Sequence, residues 1–284
     1  MSNFKKSSKK QCKLRLLLTG ASGSGKTYSA LTLATALTPG SVGVIDTENG
    51  SSNLYGARFE FDVANLYAPF EPESYIQLIK EAEQKYETII IDSISHEWNG
   101  RGGCLEIQEK LGGRYQDWAK VTPRHIDFFN AIIYSKANII ATARSKEEHE
   151  LDTSGGKVKV VKLGTKSIQR EGYAYEFTSV LLLNENNFAS STKDRTGIFQ
   201  GRDFVITEKT ASEIKLWLNS GESEESIKLK LLENLDRYAS LGVEDFKSYC
   251  RSLPNPDKKV IAKEINAIWD KIKPQEIEHN EENK

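Results

Sequence analysis

The stretch LRLLLTGASGSGKT, residues 14–27, decides the fold, because an apolar run over Leu14–Leu18 leads directly into a glycine-rich loop. Residues 20–27 match the phosphate-binding pattern G-x-x-x-x-G-K-[ST] without a mismatch. The following residues, 28–37, have the composition of a helix. A strand, this loop and a helix in succession predict a site for a nucleoside triphosphate.

Each residue type in the loop has a physical role. Glycines let the backbone turn tightly, so that N–H groups and the positive end of the next helix face the phosphates. Lys26 would reach the β- and γ-phosphates, and the Thr27 hydroxyl would ligate Mg²⁺. The expected cofactors are therefore ATP and Mg²⁺. The expected nucleotide-binding residues are Gly20, Ala21, Ser22, Gly23, Ser24, Gly25, Lys26, Thr27 and Tyr28.

The composition predicts one large α/β domain and a smaller appendage, since the 284 residues are 38% hydrophobic and 28% charged. Because the sequence lacks a run of about 18 apolar residues and its N-terminus lacks the apolar centre of a signal peptide, we expect a cytoplasmic protein without a membrane partner. The three cysteines, Cys12, Cys104 and Cys250, lack the spacing of a zinc motif and are expected to be reduced thiols.

Charge is distributed unevenly around a net value of −1. Residues 1–15 carry six cations and no acid, and residues 157–170 carry five cations and no acid. Either segment could contact a phosphate backbone. The alternatives are a disordered, solubilising tail for the first segment and a solvated hairpin for the second.

Apolar runs recur at the spacing of β-α-β units and predict buried parallel strands between amphipathic helices. The predicted core strands are Leu14–Leu18, Val42–Asp46, Thr88–Asp92, Asn138–Thr142 and Ser179–Leu183, with shorter edge strands at Phe188–Ser191 and Phe204–Ile206. The predicted helices between them are Tyr28–Leu37, Pro72–Gln84 and Pro123–Tyr134.

The pattern changes after this α/β core. Three amphipathic helices are predicted over residues 226–238, 243–253 and 258–272, and their pattern favours a role in packing and assembly. The predicted organisation is a basic flexible tail (1–13), an ATPase core (14–218), a linker (219–223), a helical C-terminal region (224–273) and a polar tail (274–284).

Acidic residues follow two of the predicted strands. In the run Thr88–Ser93, TIIIDS, the predicted strand ends in Asp92, which is expected beside the Mg²⁺ shell. Val44–Asn49, VIDTEN, supplies Asp46 and Glu48 next to the loop if its strand neighbours the central ones.

Together these segments resemble RecA-family ATPases, whose second strand ends in an acid that orients or activates the attacking water. On that resemblance Glu48 is the candidate general base, with Asp46 as the second choice. Relatives also place a polar sensor of the γ-phosphate after the fourth strand, where this chain has Thr142 and Arg144. The alternative for Arg144 is an ion pair with an acid. The implied fold is a RecA-like P-loop NTPase with a mainly parallel sheet flanked by helices and a small C-terminal helical region.

A late basic pair also fits this resemblance. In KaiC- and RadA-like members, basic residues reach into the ATP site of the neighbouring subunit, and the K-x-R spacing of Lys193 and Arg195 is similar. Such cations would stabilise the charge of the transferring phosphoryl group and couple hydrolysis to assembly. The alternative is an ordinary surface turn.

More narrowly, the chain resembles the phage-encoded RecA-core nucleotide-binding proteins linked to DNA recombination and single-strand annealing, on the segment Tyr115–Val121, YQDWAKV. This resemblance implies single-stranded DNA, self-assembly into a ring or filament, and a single-strand-binding or other recombination protein as partners, in the host cell cytoplasm. DNA contacts are expected from loops over residues 100–114 and 147–170. The candidate DNA-binding residues are Arg101, Arg114, Lys157, Lys159, Lys162, Lys166 and Arg170.

Two other functions use the same loop. A small-molecule or nucleoside kinase would add a lid with arginines over the acceptor, and a nucleotide switch or assembly module would bind ATP and hydrolyse it poorly. The guanine-recognition signature N-K-x-D does not occur in the sequence, so adenine is favoured.

Overall fold

This computed structural model describes residues 7–152 and 159–281, and the side chains of these residues outside 147–165 and 273–281. The chain divides into two units. One comprises Lys13–Leu218, and the other combines the segment up to Cys12 with the residues from Asn219 onward. Each unit has its own buried apolar cluster.

The larger unit is built on a mixed sheet. Its strands are β1 (Arg15–Gly20), β2 (Val42–Asp46), β3 (Asp62–Asn65), β4 (Thr88–Asp92), β5 (Asn138–Asp152), β6 (Lys159–Ser167), β7 (Ser179–Leu183), β8 (Phe188–Asp194) and β9 (Asp203–Val205). The spatial order is β3-β2-β4-β5-β1-β7-β8-β9, and β6 pairs with β5 outside this row. The pairs from β3 to β7 are parallel and the rest are antiparallel, which confirms the expected mainly parallel sheet.

Helices cover both faces of this sheet. They are α1 (Lys26–Leu37), α2 (Pro72–Ala82), α3 (Ser95–Asn99), α4 (Cys104–Lys110), α5 (Trp118–Ile133) and α6 (Glu208–Asn219). In β1, Leu16 and Leu18 pack in the cluster that contains α1 and α6, whereas Leu17 packs in the cluster that contains α2 and α5. Each such buried side chain stabilises the fold by about 1.5–3 kcal/mol. The strand is therefore apolar on both faces because both faces are covered.

Strand β5 is longer than predicted. Its parallel pairing with β1 ends where Gly20 meets Arg144, and its antiparallel pairing with β6 begins where Ser145 meets Ser167. The predicted loop over residues 147–170 is therefore wrong, because the central strand continues out of the sheet as one arm of a β-ribbon. This is the hairpin alternative for the basic segment.

Other elements differ from the sequence prediction in smaller ways. Strand β3 was not predicted, and β8 lies between β7 and β9 rather than at an edge. Helix α4 occupies part of the predicted 100–114 loop. Helix α5 begins five residues before Pro123, which lies inside the helix although proline usually favours the first helical position.

The second unit contains α7 (Glu224–Leu241), α8 (Val243–Ser252), α9 (Asn255–Val260) and α10 (Ala262–Glu281). These helices bury Leu235, Phe246, Leu253 and Ile261, and the Ser223 hydroxyl accepts the Ser226 N–H at the start of α7. The backbone of Lys9 and Gln11 pairs with Glu222, so these residues of the predicted tail are hydrogen-bonded. None of the described helices has the length and apolar character needed to span a bilayer.

Arg15 belongs to the core rather than to a basic tail. The residue is 7% exposed, and its guanidinium donates to the carbonyl of Leu14. It also donates to the carbonyls of Ile133, Ser135 and Ala137, which lie between the end of α5 and the start of β5. The last carbonyls of a helix lack intrahelical donors, so this side chain satisfies groups that would otherwise be buried without partners. Arg15 is therefore not available to contact a phosphate backbone.

We predict that Arg15→Met lowers the free energy of unfolding by about 2–3 kcal/mol, because several buried carbonyls lose a charged donor. Urea unfolding followed by circular dichroism measures the change. The exposed neighbour Lys13 provides the control, since Lys13→Met removes a charge without uncovering carbonyls. Equal stabilities for the two variants would contradict the role of Arg15.

Candidate functional site

The glycine-rich loop connects β1 to α1 and has the backbone shape that its sequence predicts. Gly23 and Gly25 adopt left-handed conformations with φ of 80° and 81°, which disfavour residues with a Cβ. At Gly20, a Cβ would lie 2.7 Å from the carbonyl oxygen of Leu183. The Ser24 hydroxyl is buried and has no hydrogen-bond partner among the described residues. An orphaned polar atom inside a glycine-lined loop fits a phosphate cradle.

Asn187 packs against this loop, although sequence reasoning did not single it out. A Cβ on Gly25 would lie 2.7 Å from its amide nitrogen. Asn187 has a φ of 62° in the tight turn between β7 and β8, a conformation that asparagine tolerates better than most residues. The sequence NENN at this turn is the signal that could have pointed to it.

Lys26 folds back over the loop. Its ammonium donates to the carbonyls of Gly20 and Ala21 at 3.0 and 2.7 Å. Burial lowers the pKa of Lys26, and the nearby charges of Asp92 and Glu48 oppose that shift. The cation therefore lies beside the acids that follow β2 and β4, as the motif spacing predicted.

Asp92 connects three elements through its carboxylate. Thr27 at the start of α1 donates to Oδ2 at 2.6 Å, and Thr142 of β5 donates to Oδ1. The carboxylate is 98% buried, and burial raises its pKa although both hydroxyls favour the ionised form. A hydroxyl and a carboxylate beside a phosphate loop are the oxygen ligands that Mg²⁺ prefers, so Thr27 and Asp92 fit the predicted ion.

Asp46 does not have the free carboxylate that a general base requires. Its two oxygens accept the N–H groups of Glu48, Gly50 and Ser52, and the Ser52 hydroxyl as well. These bonds shape the loop after β2. The second choice of base is therefore a structural residue, and Glu48 is the acid that this loop directs toward the site.

Glu48 and Arg144 form a bidentate pair, which unites the predicted base with a predicted sensor. Arg144 donates through Nε to Glu48 Oε1 at 2.7 Å and through a second nitrogen to Oε2, and Ser93 donates to Oε1 at 3.0 Å. Burial would raise the pKa of Glu48, but the hydrogen bonds and charge of Arg144 outweigh it and hold the pKa below its ordinary value. In this arrangement Glu48 is a weak base.

Lys193 lies on β8, and Arg195 follows its last residue. The side-chain hydrogen bonds described for both residues go to carbonyls of residues 174–177 and not to the glycine-rich loop. Lys193 donates to the carbonyls of Ala174, Tyr175 and Phe177, and Arg195 donates to that of Tyr175. Lys193 therefore satisfies backbone carbonyls of its own chain, and the bond from the Arg195 guanidinium to the Tyr175 carbonyl is 3.3 Å long.

The predicted DNA-binding residues occupy different environments. Arg101 is exposed, Arg114 pairs with Asp117, and Lys166 pairs with Glu171. Lys157 lies outside the described residues, and Lys159 and Lys162 are described only as backbone positions of β6. Arg170 donates to the Thr122 hydroxyl and lies over the Trp118 ring.

An aromatic groove lies beside Arg170, at the end of the second predicted DNA-contact segment. It has a volume of about 730 Å³. Trp98 and Trp118 stack with ring centroids 5.4 Å apart, and Tyr115 at the rim is 92% exposed. Arg170, from the second predicted segment, lines the same groove, and none of the described lining residues comes from the first segment, 100–114.

Comparison with known proteins places the chain in a family. The model of the AAA domain family matches residues 12–211, which is more than half of the chain. Among solved structures, the crystal structure of the RadB recombinase is 18% identical, with a TM-score of 0.40, and the match covers 69% of this chain and 88% of that one. No curated protein matches the sequence.

We predict that Arg144→Gln lowers stability at neutral pH by about 0.5–1 kcal/mol, the range of a partly exposed ion pair. Because folding lowers the pKa of Glu48, this contribution is present above its ordinary value of 4.5 and is lost as the pH falls through the folded pKa. Urea unfolding at a series of pH values measures the difference between wild type and variant.

Arg101→Gln serves as the control. Like Arg144, Arg101 is an exposed arginine, but it forms no bidentate ion pair with a carboxylate among the residues that the structure describes. A stability difference for Arg144→Gln that stays constant from neutral to strongly acidic pH would contradict the assigned pair.

Proposed function

The chain belongs to the AAA domain family, and from this premise we propose that it binds and hydrolyses ATP with Mg²⁺, assembles into oligomers, and acts on single-stranded DNA in phage recombination or annealing. One observation carries the proposal. Side chains from three separate segments meet beside one phosphate loop: Lys26 and Thr27, Glu48, and Asp92.

Each of these residues has a task in hydrolysis. Lys26 exchanges the carbonyls of Gly20 and Ala21 for phosphate oxygens when ATP binds. Thr27 and Asp92 hold Mg²⁺, which neutralises charge on the phosphates when it is bound. Glu48 accepts a proton from the attacking water, and Thr142, bonded to Asp92, reports the state of the metal shell.

Glu48 must first be released from Arg144. While the guanidinium holds both carboxylate oxygens, the low pKa of Glu48 opposes proton transfer from water. Arg144 is positively charged and pairs with Gly20 of the phosphate loop in the β1–β5 register, so an arriving γ-phosphate is a competing partner for it. Arg144 then acts as the sensor that couples ATP binding to release of the base.

The aromatic groove supports the proposed DNA partner. Unpaired bases stack on aromatic side chains at about 1–3 kcal/mol per base, and this stacking tolerates any sequence. Tyr115 is exposed and Arg170 adds a cation at the same groove. The phage recombination setting follows from the motif resemblance.

We predict that single-stranded DNA stimulates ATP turnover and that ATP shifts the protein to a larger species on size-exclusion chromatography. Lys26→Ala abolishes both responses because the phosphates lose their cation. Lys209→Ala, which changes an exposed lysine of α6 outside the basic segments, leaves both unchanged. Turnover by a persistent monomer that ignores DNA would contradict the proposal and would favour a kinase or switch.

We predict that Arg195 acts on the ATP site of the neighbouring subunit. Arg195→Ala spares nucleotide binding and slows hydrolysis by on the order of 10³-fold, the lower range for arginines that act in trans. Mixing Arg195→Ala with Lys26→Ala restores part of the turnover, because the first variant keeps an intact loop and the second supplies Arg195. A mixture as inactive as its components would show that Arg195 does not act in trans.

A further inference from the structure

Three buried side chains outside the nucleotide site converge in the larger unit. Glu97 lies on α3, Cys104 on α4 and His125 on α5. Glu97 and Cys104 are fully buried, and His125 is 5% exposed. Burial of a carboxylate is unfavourable unless a positive charge or several donors compensate it. This cluster therefore calls for an explanation that the proposed hydrolysis does not give.

The separations among the three side chains match a metal site. Glu97 Oε1 lies 3.0 Å from Cys104 Sγ and 3.0 Å from His125 Nδ1, and Sγ lies 4.0 Å from Nδ1. Zinc bonds of about 2.3 Å to sulfur and about 2.0–2.2 Å to nitrogen and oxygen place tetrahedral ligand atoms about 3.3–3.6 Å apart. Shifts of about half an ångström would therefore admit the ion.

The charges of these groups also balance around a divalent cation. A thiolate, a carboxylate and a neutral imidazole carry two negative charges in total, which one Zn²⁺ neutralises. Thiolate and imidazole ligands favour zinc over Mg²⁺ or Ca²⁺, which prefer oxygen. A neutral buried site avoids the penalty for isolated charge in the core.

A fourth residue holds the carboxylate in place. The side-chain amide of Gln169 donates to Glu97 Oε2 at 3.2 Å and to the carbonyl of Ile94 at 3.0 Å. This contact occupies Oε2 of Glu97, and Oε1 is the oxygen that lies nearest to both Cys104 and His125. Metal-ligating carboxylates are typically oriented by such outer hydrogen bonds.

We propose that Glu97, Cys104 and His125 bind one zinc ion, with water in the fourth position, and that this ion fixes α4 between α3 and α5. On binding, the S–H bond of Cys104 breaks, a Zn–S bond forms and the proton passes to solvent. His125 ligates through Nδ1 with its remaining proton on Nε2. The inference is independent of ATP hydrolysis, since none of these residues belongs to the phosphate site.

Without the ion, the same cluster is a hydrogen-bonded triad in which Cys104 donates to Glu97. Cys104 donates through its S–H group to Glu97 Oε1 at 3.0 Å, so the metal-free side chain is a thiol that carries its proton. Zinc binding therefore releases a proton, and the amount released distinguishes ligation by Cys104 from ligation by oxygen and nitrogen alone.

The test uses a variant in which Cys104 is the only thiol. The chain has three cysteines, and Cys12→Ser with Cys250→Ser removes the exposed and half-buried ones without touching the cluster. We expect this protein to bind about one Co²⁺ per chain with a thiolate-to-cobalt charge-transfer band. Added Zn²⁺ should displace the cobalt and abolish the band, and calorimetry in two buffers should count about one released proton per Zn²⁺.

Cobalt bound at Thr27 and Asp92 would give no thiolate band, because that site offers only oxygen. The band should persist in the Lys26→Ala background and disappear in Glu97→Gln or Cys104→Ser. Absence of the band in the single-thiol protein, or zinc binding without proton release, would overturn the proposal. Because that protein retains the whole cluster, this result does not depend on whether Cys104→Ser folds.

Discussion

The carboxylate of Asp92 is the constraint on which the rest of the site depends. Buried at the end of β4, it accepts hydroxyl donors from α1 and β5 and so connects the helix after the phosphate loop to two central strands. A buried carboxylate without such donors would be unfavourable in this core. The same two contacts that stabilise it also place it where a cation beside the phosphate loop would need oxygen ligands.

The acids at the end of β2 divide into one structural residue and one candidate catalytic residue. Two carboxylates lie only two residues apart, Asp46 at the end of β2 and Glu48 in the loop that follows. Asp46 accepts hydrogen bonds from N–H groups of the loop, whereas Glu48 accepts them from the side chains of Arg144 and Ser93. Asp46 therefore stabilises the shape of the loop, and Glu48 is the acid left for the proposed proton transfer. Arg144 then makes the state of Glu48 dependent on strand β5.

Sequence alone predicted the parts of this molecule that rest on local pattern. The glycine-rich loop, the apolar strands and the acids after β2 and β4 have short signatures, and the carboxyl ends of parallel strands must gather at one edge. The pairing of Glu48 with Arg144 across 96 residues has no such signature. Neither does the Glu97, Cys104 and His125 cluster, whose members come from three separate helices. The hairpin over the second basic segment was only the alternative prediction, because nothing in β5 marks where its pairing with β1 ends.

The position of β1 in the sheet has a consequence for synthesis of the chain. Its two neighbours are β5 and β7, which begin at Asn138 and Ser179. A ribosome therefore releases the glycine-rich loop long before either partner strand exists. During that interval the leucine-rich strand has no sheet to join, and exposed strand edges of this kind are prone to aggregation. The nascent chain therefore carries an unpaired edge of β1 until residues 179–183 have been made.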